Sequence, residues 1–159
     1  MKTFLVMAAG LIATTPAAAQ TASPAAYVAQ AGASDQYEIQ SSRLVMASTR
    51  DPKIRSFAQM MIQHHTKSTA DVKAAATRAK LRPAPPKLMP MQADMVAQLR
   101  AQTGTGRDTL YVTQQKTAHQ QALALHQSYA QDGSSAPLKA AAAKIVPVVE
   151  QHIATLETM

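Results

Sequence analysis

The sequence predicts an all-α protein. Apolar residues recur at helical spacing in four long stretches, and no stretch alternates apolar and polar residues as a half-buried strand would. Glycine is scarce, at five in 159 residues. Apolar residues make up 47%, much of it alanine, with four tyrosines, two phenylalanines and no tryptophan. That composition suits close-packed helices, and the length is enough for one domain with its own core.

The first segment, MKTFLVMAAGLIATTPAAAQ, has Lys2, an apolar run from Phe4 to Ala13 and a small-residue site at Ala17-Ala18-Ala19. It reads as a bacterial secretory signal peptide over 1–19, its apolar run too short to span a membrane comfortably. The expected destination is the periplasm, and no cysteine follows that could carry a lipid or form a disulfide. Residues 20–33, small and polar with one proline, read as a flexible leader or a fraying helical start. A single domain is expected over 34–159.

Within that domain, Ser34 reads as the cap of a first helix that ends at Thr49-Arg50-Asp51-Pro52, since a residue before proline avoids the helical region. Asp51 and Pro52 then open a second helix, to about Lys80. Its buried stripe runs through Ile54, Ala58, Met61, Val72 and Ala75. LRPAPPKLMP breaks it with an extended, proline-rich connection. MQADMVAQLRAQTG follows as a short helix, stopping near Gly104. The next long helix starts near Asp108 and ends at Asp132-Gly133. The last carries Leu138, Ile145, His152 and Met159 at intervals of seven, with Pro147 expected to kink or loosen one turn. Short turns make the helices of each pair antiparallel, and the Leu81–Arg107 connection is long enough to cross the bundle. The expected architecture is a ferritin-like antiparallel four-helix bundle of two hairpins, with a short extra helix in the crossover. An up-down bundle with one long loop fits the same pattern.

The formal charge is +7, carried by scattered lysines and arginines without a run of five. In an exported protein that pattern argues against nucleic acid as a partner. It permits loose attraction to an anionic envelope surface. No transmembrane segment is expected after the signal.

Glu38, His65, His119 and His152 each fall on or beside the apolar stripe of a different long helix. Counted from the turns, all four sit at depths of roughly 18 to 24 Å, at about 1.5 Å per residue. Docking of the hairpins would bring them together in mid-bundle. Two arrangements avoid the cost of burying them singly. They could bind one divalent transition metal ion (zinc, iron, manganese or copper), or form a metal-free polar core bonded to Gln, Ser or water. The chain has no Glu-x-x-His unit, which disfavours a di-metal ferroxidase or oxygenase site. It has no Gly-x-Ser-x-Gly or His-Glu-x-x-His motif for hydrolysis, and no catalytic residues are expected. His64, about 100° round the helix from His65, is expected in solvent. His126 is expected at the core edge. Met89, Met91 and Met95, with Met60 and Met61, form a weaker candidate for copper, since methionine also fills alanine-rich cores.

The strings ASDQYEIQSSRLV, DPKIRSFAQMMIQHHTKS, YVTQQKTAHQQALALHQSYA and PLKAAAAKIVPVVEQHIATL resemble the domain of unknown function 4142 family. The resemblance implies an exported bacterial helical bundle of ferritin-like fold, often described as an outer-membrane protein. It implies no established activity. The family pattern places a Glu in the first helix, Asp-His in the second and single histidines in the other two. These fall on Glu38, His65, His119 and His152. The chain departs from the pattern at His64, where Asp is usual, and at His126, where an aromatic is common.

Two functions follow as expectations. One is a periplasmic metal-binding bundle for storage, buffering or stress protection. The other is a non-enzymatic envelope protein with a metal-free polar core.

Overall fold

The computed structural model describes residues 21–159. The expected signal peptide lies outside the described residues. Five helices account for the described chain: α1 (Pro24–Met46), α2 (Pro52–Arg78), α3 (Pro90–Arg100), α4 (Gly104–Asp132) and α5 (Ala136–Glu157). No strand occurs among the described residues. The all-α expectation holds, including the short helix in the long connection. No described helix is long and apolar enough to cross a membrane.

Of the two expectations for residues 20–33, a flexible leader or a fraying helical start, the helical start is the one observed. Helix α1 begins at Pro24, ten residues before the predicted cap, and Ser34 lies inside it. The true cap is Ser23, whose side chain accepts from the Ala26 amide at 3.3 Å. Ser23-Pro24 is the same start signal as Asp51-Pro52, where Asp51 accepts from the amides of Lys53 and Ile54. Tyr27, Ala31 and Ala33 on this added stretch are buried, so 24–33 belongs to the core.

Helix α1 packs chiefly on α2, and α4 on α5; α1 also meets α4 and α2 meets α5, which closes a ring of four long helices. Helix α3 lies against α1 and α4. Two apolar clusters fill this ring. One joins Tyr27 and Ala31 at the start of α1 to Val72 and Ala76 near the end of α2, Tyr129 near the end of α4 and Leu138 at the start of α5. The other joins Val45, Phe57, Met61, Tyr111 and Leu156 at the opposite end of each helix, with Leu99 of α3. Helices α2 and α4 therefore run in the same direction, and the connection between them travels the length of the bundle.

That connection is held at both ends. Helix α2 stops in a Schellman arrangement, with the Leu81 amide donating to Ala76 and the Lys80 amide to Thr77, each at 2.9 Å. Lys80 takes the left-handed conformation, φ 59°, that glycine usually fills. The proline run then crosses α1 at Gly32, where a Cβ would fall 3.1 Å from Pro86. At the far end the Arg107 guanidinium donates to the carbonyls of Leu99, Gln102 and Leu44, tying α3 and α1 to the start of α4.

Helix α5 runs unbroken through Pro147. Pro147 and Ala143, whose carbonyl loses its helical donor, are both exposed, so water can serve that carbonyl. The five methionines named as copper candidates are not gathered at one place. Met61 is in one core cluster, Met60 packs against it, Met95 packs against the α1–α3–α4 contact, and Met89 and Met91 are exposed.

Four side-chain hydrogen bonds join α1 to α4, one near the start of α1 and three in its second half. Tyr27 Oη lies 3.0 Å from His126 Nδ1, Tyr37 donates to Gln114 at 3.1 Å, Gln115 donates to Ser41 at 3.2 Å, and Ser42 Oγ lies 2.8 Å from Tyr111 Oη. Tyr27 also stacks on Tyr129, ring centroids 3.9 Å apart. Replacing Tyr27 by Ala should therefore lower stability by about 3–5 kcal/mol, and by Phe about 1 kcal/mol, in urea unfolding. A mobile leader would leave the midpoint unmoved in both variants.

Candidate metal centre

Between the two apolar clusters lies a band of polar side chains from all four long helices. Glu38 follows Ala31 by seven residues and precedes Val45 by seven; His65 stands the same way between Ala58 and Val72. Helical phase thus points each inward with its apolar neighbours. Glu38, His119 and His152 are each about 1% exposed, and His65 6%. One ligating nitrogen from each of His65, His119 and His152 comes together, all within 4.8 Å of one another.

Hydrogen bonds fix which nitrogen is available on two of the three imidazoles, His65 and His119. His65 Nδ1 lies 2.8 Å from Asp35 Oδ1, and a carboxylate only accepts, so Nδ1 carries the proton and Nε2 is bare. Thr69 donates to the other Asp35 oxygen at 2.9 Å. His119 Nδ1 lies 2.9 Å from the Gln115 carbonyl, which leaves its Nε2 bare as well. That Nε2 is 3.3 Å from His152 Nδ1, and His152 Nε2 is in turn 2.8 Å from His64 Nδ1. Each of the three central histidines has its outer nitrogen held, by Asp35, by the Gln115 carbonyl and by His64. That is the support ligating imidazoles generally have.

Several buried atoms of the band are unsatisfied, Gln115 Oε1 among them. His65 Nε2 and both oxygens of Glu38 are buried with no hydrogen-bond partner. Glu38 Oε1 stands 3.7 Å from His119 Nδ1, behind that ring rather than among the three gathered nitrogens. A buried carboxylate without donors is costly unless a positive charge lies near it. The residues present fit a cation: tetrahedral coordination at about 2.0–2.1 Å puts neighbouring ligand nitrogens about 3.3 Å apart. The His119–His152 pair already has that separation, and a His65 nitrogen lies within 4.8 Å of both rings' ligand atoms.

Electrostatics separates the histidines. Burial pulls His65 down, but the Asp35 hydrogen bond and the charges of Glu38 and Asp35 outweigh it and leave it raised. His119 is lowered by burial, against the pull of Glu38. His152 is lowered strongly, by burial and then by its neighbours His65, His119 and His64. Imidazoles kept neutral are the form that binds metal.

A family model of a domain of unknown function, DUF4142, matches residues 10–159. The chain belongs to the DUF4142 family. A crystal structure of a DUF305 protein from Streptomyces coelicolor aligns with a TM-score of 0.68 at 16% identity, covering 84% of this chain and 88% of that one. At that identity the likeness bears on the fold alone. No curated protein matches the sequence.

Within this DUF4142 domain, position 64 differs from the expectation. His64 is half-buried and turned toward α5, where it meets His152. The residue that supports His65 is Asp35, from the neighbouring helix. Asp35 was legible as a polar residue three before Glu38, on nearly the same helical face, but nothing in the sequence paired it with His65. His126 packs in the core as expected, 3% exposed and bonded to Tyr27.

Burial pushes His126 down to about 4. Below the ordinary imidazole value of about 6.5, the unfolded chain takes up protons on His119, His126 and His152 that the folded chain refuses, so stability falls with pH. His65 acts above about 6.5, where its contribution is lost as pH rises through its folded value. Metal-free protein should be most stable near pH 6.5. Replacing His126 by Phe should flatten the acid limb between about pH 6.5 and 4 by up to about 1.4 kcal/mol per pH unit, measured by urea unfolding in chelator.

Proposed function

We propose that this is an exported periplasmic protein of ferritin-like topology that holds one divalent transition metal ion between its helices, for storage, buffering or stress protection. His65, His119 and His152 are the ligands, and Glu38 supplies negative charge beside His119. The observation that carries the reading is the pair of buried, unpartnered groups, His65 Nε2 and the Glu38 carboxylate, next to two further imidazoles at ligand spacing. A metal-free core would be expected to satisfy these atoms with donors. Three imidazoles suit zinc, copper or iron, and a nearby carboxylate extends the choice to manganese. The signal-like sequence at 1–19 supports export.

The mature protein, purified without a histidine tag, should carry or take up one equivalent of metal by elemental mass spectrometry. The His65→Ala, His119→Ala double variant should lose it, and chelator should lower the wild-type melting temperature. Metal content unchanged by the double substitution, with chelator-independent melting, would favour the metal-free envelope protein instead.

His64 offers a finer test. With metal on His152 Nδ1, the His152 proton sits on Nε2 and donates to His64 Nδ1. Replacing His64 by Ala removes that acceptor and should weaken binding about 10- to 100-fold; replacing it by Asp, a stronger acceptor, should tighten it. Competition against a zinc-responsive dye measures both.

A further inference from the structure

The buried histidines are not sealed off. A cavity of about 510 Å³ runs along the α2–α5 seam, and His64, His65 and His152 line it. Its wall is largely apolar, from Ala122, Ala141, Ile145, Val148 and Val149, with Ser34, Ser68 and His126 adding polar groups. Three cations also face it: Lys67, Arg78 and Lys144. Lys67 is paired with Asp71, whereas Arg78 and Lys144 form no ion pair among the described residues. Asp35 at the inner edge is engaged by His65 and Thr69.

This groove is poorly suited to a second cation and well suited to an anion. The two unpaired cations set its sign, and a divalent ion on the three histidines would make it more positive. Glu38 lies behind His119 and is not part of the groove lining. Three imidazoles leave a tetrahedral ion one position for an outside ligand. His65, whose bare Nε2 is the unpartnered ligand atom, borders the groove.

Resting on the metal reading above, we propose that the groove admits a small organic carboxylate whose head group takes the open position on the metal. Its short alkyl body lies on the alanine and valine wall. Arg78 and Lys144 attract it by charge without touching the metal. The apolar wall favours a carboxylate with a hydrocarbon tail over a bare inorganic anion.

Cobalt(II) is the probe, because its visible spectrum reports the ligand set. The cobalt-loaded protein is titrated with formate, with butyrate and with neutral imidazole. Butyrate should change the spectrum at lower concentration than formate. The Arg78→Ala, Lys144→Ala variant should bind cobalt normally, bind both carboxylates roughly fourfold more weakly at low ionic strength, and bind imidazole unchanged. In a Val148→Trp variant, which narrows the groove, butyrate should lose its advantage over formate.

Carboxylates that leave the spectrum unchanged while imidazole alters it would overturn the proposal and leave the metal site standing. Equal weakening of imidazole and butyrate in the charge variant would also overturn it. If the wild-type protein takes up no cobalt, the metal reading falls and this proposal with it.

Discussion

The hydrogen bond from His65 to Asp35 is the contact on which the centre of this molecule depends. It joins α1 to α2 inside the bundle, where both side chains are almost wholly shielded from water. A buried carboxylate and a buried imidazole are each expensive alone, and together they satisfy one another. The bond also settles the state of the ring. Asp35 can only accept, so one proton stays on Nδ1, and in the neutral ring the lone pair of Nε2 faces the middle of the bundle. The same logic repeats at His119, where a helix carbonyl plays the acceptor. His152 completes the set through His64. The central band is thus three imidazoles held from behind, with two acidic side chains supplying the negative charge.

The architecture was legible because its signals are local and repeated. Start signals at Asp51-Pro52, the proline break at 81–90 and intervals of seven along each stripe are all properties of one helix at a time. The missed start of α1 came from reading Ser23-Pro24 as part of a leader, although it has the same form as Asp51-Pro52. The stretch after it is rich in alanine, and its burial comes with Tyr27 stacking on Tyr129, a contact more than a hundred residues away in the chain. Helix α5 continues through Pro147, and the carbonyl that Pro147 frees lies on the solvent side.

The site was legible to the level of helix face and depth, and no further. That His65, His119 and His152 share a level follows from counting residues to the turns. Which nitrogen each presents does not, since it is set by partners on other helices or by the local backbone. His64 shows the limit. A phase of about 100° from an inward residue predicts solvent for a long helix packed on one side. Helix α2, however, packs against both α1 and α5. Its buried arc is therefore wider than one stripe, and His64 faces the second neighbour.

The polar band has a mechanical consequence for assembly. Each hairpin brings half of it: Asp35, Glu38, His64 and His65 from one, His119 and His152 from the other. Bulky side chains fix part of the register between the hairpins, Tyr27 on Tyr129 at one end and Phe57 against Tyr111 at the other. A slip of one helical turn, about 5.4 Å, would set the imidazoles of one hairpin opposite the apolar cluster of the other. Their buried nitrogens would then lack partners, at roughly 1–3 kcal/mol for each group. The band adds a further pin to the tyrosine contacts and hydrogen bonds of the α1–α4 seam, making one alignment cheaper than its neighbours.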